Sequence, residues 1–231
     1  MVEFYKQEHP FILAVDCIIF GFDDEGLKLL LLQRNFEPAK GQWSLMGGFI
    51  KEDESADDAA ARVLNELTGL SDVYLDQLQV FSEPERDPGA RVISLAYSAL
   101  INIESYDKEL VKRHNAHWVK LDELPELIFD HLKMVDKALK RLRRKAASQP
   151  IGFNLLPEKF TLTQLQRLYE AIYQREMDKR NFRKKILSMG VLEKLEEKDK
   201  ISSKRGAFLY RFNEEKYIDL SDENFSFGMP V

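Results

Sequence analysis

The 231-residue chain is 44% hydrophobic and 32% charged with a net charge of −5, a soluble globular composition that holds one large or two modest domains. No apolar run approaches the roughly 18 residues of a membrane span, and the start, Met1 to Pro10, lacks a signal-peptide pattern, so the expected compartment is the cytoplasm. The single cysteine, Cys17, lies in an apolar run and reads as a buried small hydrophobe; His9, His114, His117 and His131 have no zinc-site spacing, and no metal or cofactor is expected.

Phe11 to Phe22 is β-branched and aromatic, with Asp16 as its one acid, and predicts a central strand. The turn Asp23 to Gly26 leads into a second strand, Leu27 to Gln33. Arg34 to Gly41 is a polar loop, and Trp43 to Leu45 is a short strand entering a glycine turn at Gly47-Gly48. Ser55 has the chemistry of an N-cap, and Ala59, Ala60, Val63, Leu64 and Leu67 repeat at helical spacing until Gly69 stops the helix. Val73 to Phe81 and Val92 to Ile103 read as strands on either side of a turn-rich loop, Glu83 to Arg91. A strand at His117 to Val119 precedes a helix from Asp130 to Lys145, with Leu132, Val135, Leu139 and Leu142 on one face. Its basic end (Arg141, Arg143, Arg144, Lys145) complements the helix dipole, whether it is simply solvated or meets DNA.

Ala147 to Gly152 is linker-like and places the domain break there, giving domains 1–150 and 151–231. Residues 1–150 carry 19 Lys+Arg against 26 Asp+Glu, a balance of −7, whereas 158–212 carry 14 against 8, a balance of +6. A basic module on an acidic body suits a polyanionic partner. Thr161 caps a helix with Leu162, Leu165, Leu168, Tyr169 and Ile172 on its apolar side; the turn Gln174 to Met177 follows. Asp178 caps a second helix, Lys179 to Met189, whose apolar face is Phe182, Ile186 and Leu187 and whose other face is Lys179, Arg180, Asn181, Arg183, Lys184 and Lys185. Val191 to Leu195 and Phe208 to Phe212 flank Glu196 to Ala207, which holds Lys198, Lys200, Lys204 and Arg205, the outline of a β-wing.

Gly48, Glu54, Arg62, Leu64, Glu66, Gly69 and Leu70 fall on the Nudix-box pattern, and Trp43 to Gly48 echoes its W-x-L-P-G-G approach. The stretch therefore resembles a Nudix box, which implies an α/β sandwich with a mixed sheet between helices. Nudix hydrolases hold Mg²⁺ with three glutamates of the box helix, but Val63 and Leu67 occupy two of those positions. The reading is that the fold is kept and the hydrolase lost, with Glu54, Arg62 and Glu66 as vestiges bracing a loop.

A degenerate Nudix domain followed by a winged helix-turn-helix resembles the Nudix-related transcriptional regulators. The loop Arg86 to Val92 adds to the likeness, although Gly89-Ala90 departs from the family's RDPRGRV. The resemblance implies a homodimer on a near-palindromic double-stranded operator. One branch of the family answers to ADP-ribose and controls NAD metabolism; an arabinose-responsive branch is the more similar. Without a metal face, a ligand lacking a diphosphate is favoured. The expected function is thus a repressor of sugar utilisation with L-arabinose as effector. The alternatives are an ADP-ribose-responsive regulator, or an active Nudix hydrolase with an appended interaction domain. Lys40, Gln42, Trp43, Glu85 and Arg86 are the candidate ligand residues, with Trp43 equally at home in the core. Lys179, Arg180, Asn181 and Arg183 are the candidates for base edges and adjacent phosphates, and Lys184, Lys185, Lys204 and Arg205 for further phosphates.

Overall fold

The computed structural model describes residues 9–23, 25–106, 108–148, 151, 155–200 and 206–213. The chain forms two compact units: Met1–Gly21 with Lys28–Ala138, and Phe22–Leu27 with Leu139–Val231. The elements in order are β1 (Ile12–Asp23), β2 (Gly26–Gln33), β3 (Trp43–Ser44), β4 (Met46–Phe49), α1 (Ala56–Thr68), β5 (Asp76–Phe81), β6 (Val92–Asn102), α2 (Lys108–Arg113), β7 (Ala116–Lys120) and α3 (His131–Ser148). Then come β8 (Phe160–Thr161), α4 (Leu162–Tyr173), α5 (Lys179–Ser188), β9 (Leu192–Asp199) and β10 (Ala207–Phe212).

The first unit is built on a seven-stranded sheet of order β3-β2-β1-β6-β5, with β4 also pairing β1 and β7 also pairing β2. β1 is buried without interruption from Ala14 to Phe22, because both of its faces are covered. That explains its continuous apolar sequence in place of the strict alternation of a half-exposed strand. Val15, Cys17 and Ile19 pack with Met46, Ala60, Val63 and Leu64 under α1. Ser55 and Asp58 form a reciprocal capping box at the start of α1, and Gly69 ends it in the left-handed region at φ 75°. Burial pushes the Cys17 thiol up, so it stays protonated.

Four elements of the first unit differ from the sequence expectations. Gly47-Gly48, expected as a turn, are strand residues of β4 with no positive φ, held by pairing with β1. β5 begins at Asp76, not Val73. The six-residue α2 is too short to carry a helical period and has no counterpart among the sequence expectations. α3 begins at His131 and continues to Ser148, and Leu132, assigned to its apolar side, is 51% exposed.

The second unit holds a three-stranded antiparallel sheet of order β8-β10-β9 beside α4 and α5. Phe160 stacks on Phe212, and Tyr169 on Phe182. Thr161 and Gln164 form the capping box of α4, and Gln174 adopts the left-handed region at φ 52° to turn the chain. Glu170 accepts from the Gln166 side chain at 2.9 Å and from the Met177 amide at 3.0 Å, which fixes that turn. Arg143 is neither merely solvated nor free for DNA. Its Nε donates to Ile172 O at 3.0 Å and its Nη2 to Gln174 Oε1 at 2.6 Å, closing the C-terminus of α4. Leu187, placed on the apolar face of α5, is 45% exposed; Phe182 and Ile186 alone anchor that helix. β9 continues to Asp199, so Lys198 belongs to the strand and not to the wing tip. Among the described residues no helix is long and apolar enough to cross a membrane.

Candidate functional site

The Nudix-like face is organised by Arg62. Its Nε and Nη2 donate to Glu54 at 2.8 and 2.5 Å, its Nη1 to Glu66 at 3.0 Å, and its Nη2 also to Phe49 O at 3.0 Å. These bonds, with that from the Lys51 amide, hold the Glu54 carboxyl down to about 2 and keep it ionised. The i, i+4 pair of Arg62 and Glu66 lies along α1 as its spacing requires. Val63 is buried in the core, and Leu67 is partly buried against it. A Cβ on Gly48 would meet Val63 Cγ2 at 2.7 Å, so β4 rests directly on that side chain. Mg²⁺ needs several free oxygen ligands. Here two of the three positions are apolar, and the carboxylate at the third, Glu66, is paired with Arg62, as is Glu54 of the preceding loop. The residues present do not fit the metal. Among the described residues no three His, Cys, Asp or Glu side chains converge as a metal ion would require.

Next to β4 lies a buried polar cluster. The β1–β4 register sets Asp16 opposite Gly47, and a Cβ on Gly47 would collide with the Asp16 carboxylate. Arg86 donates through Nε and Nη2 to Asp130 at 3.1 and 2.9 Å, and through Nη2 to Asp16 at 3.4 Å. Ser94 donates to Asp16 at 2.6 Å. The Leu45 amide donates to His131 Nδ1 at 3.1 Å, which leaves the ring proton on Nε2, 3.5 Å from Asp16 Oδ1. Burial lowers the His131 pKa, against the opposing pull of Asp16 and Asp130, so the ring is neutral. Arg86 is thus part of the buried floor, with its fork spent on carboxylates.

Lys40, Gln42 and Glu85 are exposed on loops, while Trp43 is half-buried with its ring edge-on to His117 at 5.3 Å. Among the described residues no hydrogen bond or ion pair joins these four or Arg86 to one another. Asp16, Ser94, Asp130 and His131 were not sequence candidates. The available signal was Asp16, a lone acid in an otherwise apolar central strand, which demands a buried partner. Arg34 was missed as well. The loop it opens is closed by backbone bonds to Gly41 and Gln42, its Nε donates to Pro38 O at 2.7 Å, and its guanidinium lies 4.2 Å from the Phe36 ring centre. Burial draws its pKa down, and the charges of Asp16, Asp87 and Glu37 counter this. Its two Nη groups have no hydrogen-bonded partner among the described residues.

In the second unit, Asp178 caps α5 by accepting from the Asn181 amide at 2.8 Å. Lys179, Arg180, Asn181 and Lys184 are exposed, and Arg183 and Lys185 are half-buried. Lys194 and Lys198 of β9 stand over the Phe208 ring at 3.7 and 4.6 Å. Lys204 and Arg205 lie outside the described residues.

Residues 10–141 match the NUDIX domain family, and residues 152–212 match the NrtR DNA-binding winged helix domain. The ADPR responsive transcriptional repressor NtrR of Acinetobacter baylyi is 34% identical over 94% of this chain and 88% of its own length. The chain belongs to the NrtR family. The crystal structure of Shewanella oneidensis NrtR complexed with a 27mer DNA resembles this NrtR-family chain with a TM-score of 0.77 at 29% identity, covering 95% of it and 99% of that chain. The NUDIX domain of the same Shewanella protein complexed with ADP ribose matches at TM-score 0.51 and 32% identity, over 62% of this chain and 99% of that one. These likenesses overturn the arabinose and sugar-utilisation expectation, because the effector named in the relatives carries a diphosphate. The faulty step was to equate a lost metal face with a lost diphosphate site. Removing glutamates removes a hydrolytic metal, whereas guanidinium groups hold phosphate oxygens without one.

Proposed function

We propose that this NrtR-family chain is an ADP-ribose-responsive repressor of NAD metabolism, working in the cytoplasm as a homodimer on a near-palindromic operator. Its Nudix domain senses the nucleotide without cleaving it. The observation that carries this reading is the pairing of two features within one chain: a box helix with Val63 and Leu67 turned into the core, and a second domain whose capped helix offers Lys179, Arg180 and Asn181 to solvent. The likeness over 94% of the chain to a repressor named for ADP-ribose supports the choice of effector.

In this reading α5 enters the major groove, and ADP-ribose in the Nudix cleft binds one arrangement of the dimer better than another. That difference in affinity, typically about 1–3 kcal/mol, is the coupling that releases DNA. Arg34, with its Nε pinned to Pro38 and its face on Phe36, is the candidate donor to the diphosphate. Lys40, Gln42, Trp43 and Glu85 remain candidates for the rest of the ligand. Calorimetry of ADP-ribose with purified protein in EDTA tests this. Wild type should bind, and Arg34→Met should bind about 10–100-fold more weakly with an unchanged melting temperature. Absence of wild-type binding would remove ADP-ribose as the effector.

A further inference from the structure

Arg183 is an exception on its helix. Lys179, Arg180 and Asn181 project into solvent, but Arg183 is half-buried and turns back across the helix-turn-helix to α4. There its Nη2 donates to Thr163 Oγ1 at 3.4 Å, longer than a well-formed N–H···O bond. Its Nε is buried and has no acceptor among the described residues. A guanidinium carries five N–H donors, and among the described residues a single long bond serves them. Buried donors in folded proteins nearly always have a partner, so an unmet group calls for a missing one. The Thr163 hydroxyl can accept from Arg183 and still donate its own proton, because a hydroxyl is one donor with two acceptor lone pairs. A cationic fork short of acceptors beside a hydroxyl with a proton to give matches an anion with several oxygens.

We propose that Arg183 and Thr163 together hold one phosphate of the DNA backbone, so that Arg183 sets the register of the recognition helix and does not read a base. This rests on the DNA-binding reading above and narrows the sequence expectation, which offered Arg183 for base edges and adjacent phosphates, to a single phosphate. The same phosphate would be bridged from both helices of the motif, tying the first helix to the backbone while the start of α5 stays in the groove. A base reader would have to extend away from the protein; this side chain lies along it.

The test uses duplexes selected by the full-length wild type from a randomised library, then Kd by fluorescence anisotropy across a salt series for the selected duplex and its single-base variants. Arg183→Met should weaken binding about 10–100-fold, equally on every single-base variant, and flatten the slope of log Kd against log salt by about 0.9, the loss of one phosphate contact. Arg183→Lys should keep the wild-type slope with part of the affinity. Thr163→Val should lower affinity several-fold with slope and sequence preference intact. Circular dichroism and melting curves accompany each variant, and where Arg183→Met does not fold, Arg183→Lys and Thr163→Val decide. Loss of preference at one base pair with an unchanged salt slope would make Arg183 a base reader and overturn the proposal. Failure of wild type to enrich any duplex would instead defeat the DNA-binding reading on which the proposal stands.

Discussion

Arg86→Met lowers the stability of the Nudix unit by about 3–5 kcal/mol, the usual cost of removing one partner from a buried ion cluster. Methionine fills much of the same space but leaves Asp16 and Asp130, at 5% and 8% exposure, without their guanidinium. Ser94 still donates to Asp16, and the neutral His131 offers one proton at 3.5 Å. Neither supplies a countercharge. Both tryptophans, Trp43 and Trp118, belong to this unit, so urea unfolding followed by tryptophan fluorescence reports on it directly. Adding Asp16→Asn and Asp130→Asn to the methionine variant should recover part of the loss, because neutral amides need no counter-ion. A single variant within about 1 kcal/mol of wild type would mean that the guanidinium is not what offsets the two buried carboxylates.

The second large effect is on DNA. Changing Lys179 and Arg180 together to alanine should reduce specific operator binding by at least about 100-fold at physiological salt, since a bidentate base contact is worth about 1–3 kcal/mol and a phosphate contact adds to it. These two side chains open α5, are exposed, and play no part in its core, which is Phe182 and Ile186. The Asp178 cap is untouched, so the helix should persist and the melting temperature should hold. Lys184→Ala alone should lose only a few-fold, uniformly across sequences. Anisotropy with a selected duplex separates the outcomes. Undiminished specific affinity in the double variant would move the reading surface off the start of α5.

The sequence carried the architecture well where local chemistry and tertiary packing agree. Ser55, Gly69, Thr161 and Asp178 are caps in the structure for the reasons their side chains suggest, and the apolar period of α1 and α4 marks the buried faces. It failed where a side chain's fate depends on a distant partner. Arg86 looked like a ligand group because a charged residue in a turn-rich loop is ordinarily exposed. Its burial depends on Asp130, 44 residues away, and Asp16, 70 residues away. Arg143 looked like a solvated helix end, yet it closes α4 through Ile172, 29 residues on. Leu132 and Leu187 satisfied a helical period but stand outside the packed face. The effector was misjudged for a chemical reason, not a structural one. Missing metal ligands bear on hydrolysis and not on affinity for a diphosphate, which guanidinium groups hold without a metal.

The central claim is that the Nudix domain has become a receptor for ADP-ribose that controls DNA binding without metal or cleavage. Its most direct test is the anisotropy of a labelled, selected duplex bound to the full-length protein, titrated with ADP-ribose in EDTA, with the nucleotide recovered and analysed afterwards. The account predicts that DNA is released as intact ADP-ribose is added and that L-arabinose has no effect. Release that requires Mg²⁺ and leaves AMP and ribose phosphate, or no release at all, would contradict it.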